Sequence, residues 1–169
     1  ALFKAGDALY ANNQFQLAAE NYEKLMTDYP RSSLLPNAFF QLGMSLMRRN
    51  EPLKAEEKFA DLLAKYPEGP LADEARLRIA EVRQLQGHWT EALQDFDRVL
   101  AVSSNSPLQG QALLGRGRVL YNLFRFQEAR GDFEQVLRDA TNSPLVEQAF
   151  YMRGLCDYGM GKDKEAVAI

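Results

Sequence analysis

The chain has 169 residues, 46% hydrophobic and 25% charged, with a net charge of −3; this is ordinary globular composition, too weakly charged for a nucleic-acid footprint or a basic membrane patch. No apolar run approaches the roughly 18 residues that a bilayer-spanning helix needs, so no membrane insertion by this segment is expected. One cysteine, Cys156, excludes an intramolecular disulfide, and with the single histidine, His88, it makes no zinc site.

In chain order, the first stretch after Ala1 reads as a helix that ends near Asn12-Asn13. A second helix carries Ala18, Tyr22 and Leu25 on one stripe and ends at Tyr29-Pro30, because proline disfavours helical geometry in the residue before it. The next helix begins at Ala38, reads "NAFFQLGMSLMRR" and breaks at Asn50. Pro52 suits the first turn of the following helix, which carries Ala55, Phe59 and Leu62 and ends at Tyr66-Pro67. Ala75 opens another helix up to Gly87, and Ala92, Phe96 and Val99 stripe the one after it. Ala112 opens the next, and Ala129, Phe133 and Val136 stripe its partner. Ala149 opens the last full helix, which breaks at Gly161 before Ala166. In the later connectors Ser106-Pro107 and Ser143-Pro144 read as a serine N-cap followed by proline at the first helical position. No alternating strand pattern is present.

These landmarks recur every 37 residues without an insertion. Ala1, Ala38, Ala75, Ala112 and Ala149 form one column; Gly6, Gly43, Ala80, Gly117 and Gly154 form another. Ala18, Ala55, Ala92, Ala129 and Ala166 form a third, and Tyr22, Phe59, Phe96 and Phe133 a fourth. Small residues let two helix backbones approach, and the aromatic column fills the space beside them. A single helix pair cannot bury both of its faces, whereas stacked copies can. The expected units are 1–35, 36–72, 73–109, 110–146 and a truncated 147–169, forming a single array. An opening without Met and a close on "KDKEAVAI" lead us to expect a segment of a longer protein.

The pattern resembles the tetratricopeptide repeat family, with Phe39, Leu42, Gly43, Ala55, Phe59 and Pro67 at its signature positions in the second unit. The resemblance implies an all-α fold: a right-handed superhelical solenoid of antiparallel helix pairs. The period exceeds the family's usual one, and the third and fourth units lack the terminal proline, having Ser104 and Thr141. The Tyr-Pro endings and long connectors are similar to those of bacterial cell-envelope members. Examples are the outer-membrane assembly lipoprotein BamD and the Tol–Pal-associated periplasmic protein. That style implies a periplasmic or envelope-associated setting, with the cytoplasm as the alternative.

The resemblance also implies that the first helices line a concave groove for a peptide, helix or partner domain. Its columns map onto Phe3, Phe40, Leu77, Leu114 and Tyr151; onto Asp7, Met44, Glu81, Arg118 and Leu155; and onto Tyr10, Met47, Gln84, Tyr121 and Tyr158. Arg48 adds a charge beside them. The groove is therefore expected to be aromatic and apolar, the chemistry of interface cores. The alternative for any one of these side chains is packing between adjacent repeats. No pair of cations stands where chaperone-binding relatives hold a terminal carboxylate.

Arg116 and Arg153 fall where the family has a buried Leu, so each either pairs with an acid such as Asp132 or Asp157 or reaches the groove. Trp89 shares a column with Phe15 and Phe126 and reads as a hairpin staple; Cys156 reads as a small buried filler. Carboxylates such as Glu20, Glu23, Glu56, Glu57, Glu91 and Asp95 follow the outer faces of second helices. With one histidine no Ser/His/Asp set is credible, so the expectation is not an enzyme and no cofactor. The expected function is a non-catalytic protein–protein interaction scaffold. The alternatives are self-association through exposed array ends, and a non-catalytic arm of a larger enzyme or exopolysaccharide export machine.

Overall fold

The computed structural model describes residues 1–102, 108–139 and 144–161. Ser106, Pro107, Ser143, Ser104, Thr141 and Ala166 lie outside them. The described residues form nine α-helices. The chain divides into two compact units, Ala1–Val82 and Arg83–Ile169.

The first unit contains α1 (Leu2–Ala11), α2 (Phe15–Asp28), α3 (Leu35–Arg48), α4 (Pro52–Lys65) and most of α5 (Ala72–Leu85). Here α1 packs on α2, α2 on α3 and α3 on α4, so consecutive helices run as antiparallel pairs. The second unit contains α6 (Trp89–Val102), α7 (Leu108–Asn122), α8 (Phe126–Asp139) and α9 (Pro144–Gly159). Sequential packing again joins α6 to α7, α7 to α8 and α8 to α9.

The second-helix stripe is the core. Ala18, Tyr22, Ala55, Phe59, Leu62, Ala92, Phe96, Val99, Ala129, Phe133 and Val136 are fully enclosed, and Leu25 nearly so. The small residues facing these rings set the helix separation. A Cβ on Gly6 would stand 2.6 Å from Tyr22, and one on Gly117 would stand 2.6 Å from Phe133. Gly115 of α7 makes a further close approach, under the Phe96 ring of α6, outside the repeating column.

Helix boundaries follow local chemistry. Pro52 opens α4, where its missing N–H leaves no intrahelical bond unmade. Tyr29 and Tyr66 cap α2 and α4 in non-helical conformations, each followed by proline. The helix opened by Ala38 in the sequence reading starts earlier, at Leu35, because Pro36 is accommodated in the first turn. Pro144 likewise opens α9. Among the described residues the turns that follow α1, α3, α5, α7 and α9 each place one residue in the left-handed region: Asn13, Asn50, Gly87, Phe124 and Gly161, with φ between 59° and 77°. Asparagine and glycine suit that geometry. Phe124 does not, and its side chain is 80% exposed.

Candidate partner-binding surface

In the first unit the groove-column residues separate into core, packed and surface positions. Phe40 and Leu77 are buried, and Phe40 lies 5.5 Å from the Phe59 ring. They belong to the core rather than to an open groove. The reason lies in α3 itself, which packs on both α2 and α4 and buries eight of its fourteen residues. Little of its circumference is left for a ligand. Phe3 is half-buried against Tyr22 at 5.6 Å, and Tyr10 meets the staple Phe15 edge-on at 5.2 Å. Met44 and Met47 pack partly against the same core.

The expected groove charges all have partners. Asp7 accepts a 2.7 Å hydrogen bond from the Tyr22 hydroxyl. Burial pushes that hydroxyl's pKa up, and the Asp7 hydrogen bond raises it further. Arg48 is exposed, with its guanidinium 5.0 Å from the centre of the Phe15 ring. Glu81 accepts from Arg78 at 2.7 Å.

In the second unit Leu114 is buried, again core rather than groove. Tyr121 lies 5.3 Å from the staple Phe126, and Arg118 donates to Gln148 at 2.6 Å, tying α7 to α9. Gln84 and Leu155 are half-buried. Tyr151 and Tyr158 stand out at 61% and 68% exposure. They are seven residues apart on α9 and share one of its faces.

Arg116 forms a paired network. Its Nε and Nη2 donate to the two Asp132 carboxylate oxygens at 2.8 and 2.6 Å, and Nη1 donates to Asp97 at 2.7 Å. Hydrogen bonding to Asp132 is the main cause of its raised pKa. Arg153 does not pair with Asp157. That carboxylate accepts instead from Arg130 at 2.7 Å, while the Arg153 guanidinium lies 4.6 Å from the Phe150 ring centre. His88 is exposed, and Cys156 is fully buried. Among the described residues no group of His, Cys, Asp and Glu is placed to hold a metal.

The sequence reading passed over Phe124, although its 37-residue step from Gly87 placed it among the turn residues. Asp95, expected on the outer face of its helix, is instead buried, and it accepts from Arg83 at 2.6 Å, twelve residues away on α5.

Tetratricopeptide repeat family descriptions match residues 1–32 and 37–69, and again residues 71–142. The chain belongs to the tetratricopeptide repeat family. No curated protein matches it in sequence. Among solved structures it is similar to MamA, at 20% identity and a TM-score of 0.79, over 96% of this chain and 88% of that one. MamA from Desulfovibrio magneticus RS-1 superposes with a TM-score of 0.83 at 14% identity, over 99% of this chain and 88% of that one. YrrB, described as a tetratricopeptide repeat protein with an unusual peptide-binding site, gives a TM-score of 0.74 at 18% identity, over 99% and 80%. These likenesses show the fold: an all-α, tetratricopeptide-like solenoid class built from sequential antiparallel pairs. Repeat modules of this family are generally non-catalytic and typically serve as protein–protein interaction scaffolds. Among the described residues no helix is long and apolar enough to cross a membrane.

Proposed function

We propose that the chain is a non-catalytic scaffold, a single array of four repeats and a truncated fifth whose first-helix faces bind a peptide, helix or partner domain. The observation that carries this reading is the pair Tyr151 and Tyr158, more than half exposed on one face of α9 in the columns that the family uses for ligands. Tyrosine offers a large rigid contact area with a polar tip, the kind of side chain that anchors interfaces. In the second unit Tyr121, Leu155, Gln84 and Arg118 add to this contact surface; in the first unit Tyr10, Met44, Met47, Phe3 and Arg48 offer first-helix contacts of their own, with Asp7 and Glu81 shaping their charge. Phe40 and Leu77 lie in the core of the first unit and Leu114 in that of the second. We also place the chain in a larger envelope-associated bacterial protein, on the strength of its Tyr29-Pro30 and Tyr66-Pro67 endings. Fractionation of cells of the source organism checks that setting; recovery in the cytoplasm alone would overturn it.

The test of the scaffold is a Tyr151→Ala/Tyr158→Ala double variant. A partner captured from the source organism by the unmodified chain is identified, purified and titrated against both proteins. The double variant should lose at least tenfold in affinity with helicity unchanged, since interface anchors are typically worth about 2 kcal/mol or more each. Equal affinity for the two proteins would remove α9 from the binding surface.

A further inference from the structure

Arg116 and Arg153 occupy the same position in successive repeats, each just before a column glycine. Their surroundings differ. Arg116 is closed by two carboxylates, Asp132 and Asp97. One repeat on, Asp97 becomes Glu134, Ala101 becomes Arg138, and Asp132 becomes Ile169, whose side chain is apolar. Glu134 is itself engaged, 2.8 Å from Arg130. The second repeat has therefore lost an acid, committed another and gained an arginine.

Arg153 shows the consequence. Its Nε is enclosed and, among the described residues, has no hydrogen-bond acceptor. Beside it lies a cleft of about 280 Å³ lined by Glu134, Leu137, Arg138 and Arg153. A guanidinium presents its donors as a planar fork that fits a carboxylate through two parallel hydrogen bonds, as Arg116 does with Asp132. Leu137 offers an apolar wall for the methylenes that carry such a carboxylate.

We propose that the cleft between α8 and α9 is a carboxylate site, in which Arg153 and Arg138 take an aspartate or glutamate side chain from an acidic protein segment. The site does not rest on the tyrosine surface. On α9, Arg153 is turned roughly 200° from both Tyr151 and Leu155, at about 100° per residue. Loss of either surface therefore leaves the other measurable.

The experiment follows the Arg153 Nε–Hε resonance of the whole chain while capped tetrapeptides are added, one acetyl-Ala-Glu-Leu-Ala-amide and one with Gln in place of Glu. The Glu peptide should give a saturable shift, and the Gln peptide and an equal concentration of chloride should give none. Arg138→Ala, at an exposed position, should weaken the Glu peptide at least tenfold with the circular dichroism spectrum unchanged. Arg153→Lys keeps the charge but loses the fork, and the remaining shifts around Leu137 should then saturate at least tenfold later. Responses to the Gln peptide or chloride that match the Glu peptide would reduce the effect to general salt screening and overturn the site. So would the absence of any shift. Inorganic phosphate saturating at lower concentration than the Glu peptide would make it a phosphate site and overturn the carboxylate assignment.

Discussion

Two glycines on neighbouring helices illustrate opposite uses of the same residue. Gly117 of α7 exists because the Phe133 ring occupies the space a Cβ would need, with Cε1 only 2.6 Å away. That ring is fully enclosed and cannot swing aside. Gly131 of α8 faces open space, with nothing within 4 Å of a built Cβ. Gly117→Ala should therefore cost about 1–3 kcal/mol through overpacking. Gly131→Ala should gain roughly 0.5–1 kcal/mol, because alanine loses less backbone freedom on entering a helix. Urea denaturation of the two variants measures both; shifts of the same sign would refute the account. The role of Gly117 was legible in the sequence, since the glycine and aromatic columns keep step. Gly131 has no such column, and only its surroundings reveal it as dispensable. Phe124 lies between these cases. Its turn register was readable, but an aromatic residue in the left-handed region costs about 1–2 kcal/mol, so residue type alone would place it elsewhere.

At the scale of the helix pair, α7 and α8 are joined by packing and by the Arg116 network. Asp132 is buried while Asp97 is more than half exposed, so the two carboxylates are not equivalent. Asp132→Ala leaves a guanidinium that is itself about three-quarters enclosed without its two-bond partner. We expect a loss of roughly 1–3 kcal/mol. Asp97→Ala removes a solvent-screened contact and should cost no more than about 1 kcal/mol. Thermal or urea unfolding separates them, and equal losses would show that burial does not decide the strength of this network. The sequence reading reached the Arg116–Asp132 pair because an arginine at a core position requires an acid within reach. For Arg153 it left open an acid such as Asp157 or the groove; Asp157 is taken by Arg130, so that pairing is not made. The groove columns were misplaced in part for a related reason. Spacing of 37 residues identifies equivalent positions, but a first helix touches a second helix on each side. Phe40 and Leu114 are consumed by that double contact, whereas α9 leaves largely open two tyrosines from two of the columns.

Across the whole molecule, the distribution of perturbed titratable groups makes the stability profile asymmetric in pH. The carboxylates held below their usual range, Glu51, Glu57 and Glu128, owe it first to hydrogen bonds from Lys54, Lys58 and Arg125; Glu57 and Glu128 are exposed and Glu51 is half-buried. Their stabilisation is present above the ordinary carboxylate range and fades as pH falls below it, but solvent screening keeps it small. The alkaline side is governed by enclosed groups. Burial pushes the Cys156 thiol from 9.0 up to about 12, and the nearby Asp157 charge adds to the rise. Tyr22 is raised above its usual 10.0 as well, by burial first and Asp7 second. For such groups the unfolded chain gives up its proton first. Stability is therefore flat below about pH 9 and falls as pH rises toward the folded value, at roughly 1 kcal/mol per pH unit for a single thiol. The urea midpoint should drop between pH 8 and pH 10.5, with little change between pH 8 and pH 6. Cys156→Val is the matching control, since Val82 and Val119 occupy the same column in fully buried positions. The variant should retain only the part of the alkaline drop that Tyr22 supplies. In the unmodified chain at pH 8, a thiol-reactive disulfide reagent should modify Cys156 only when urea unfolds the protein. Fast modification in the absence of urea, or an alkaline drop identical in Cys156→Val, would mean that the thiol is not enclosed in solution.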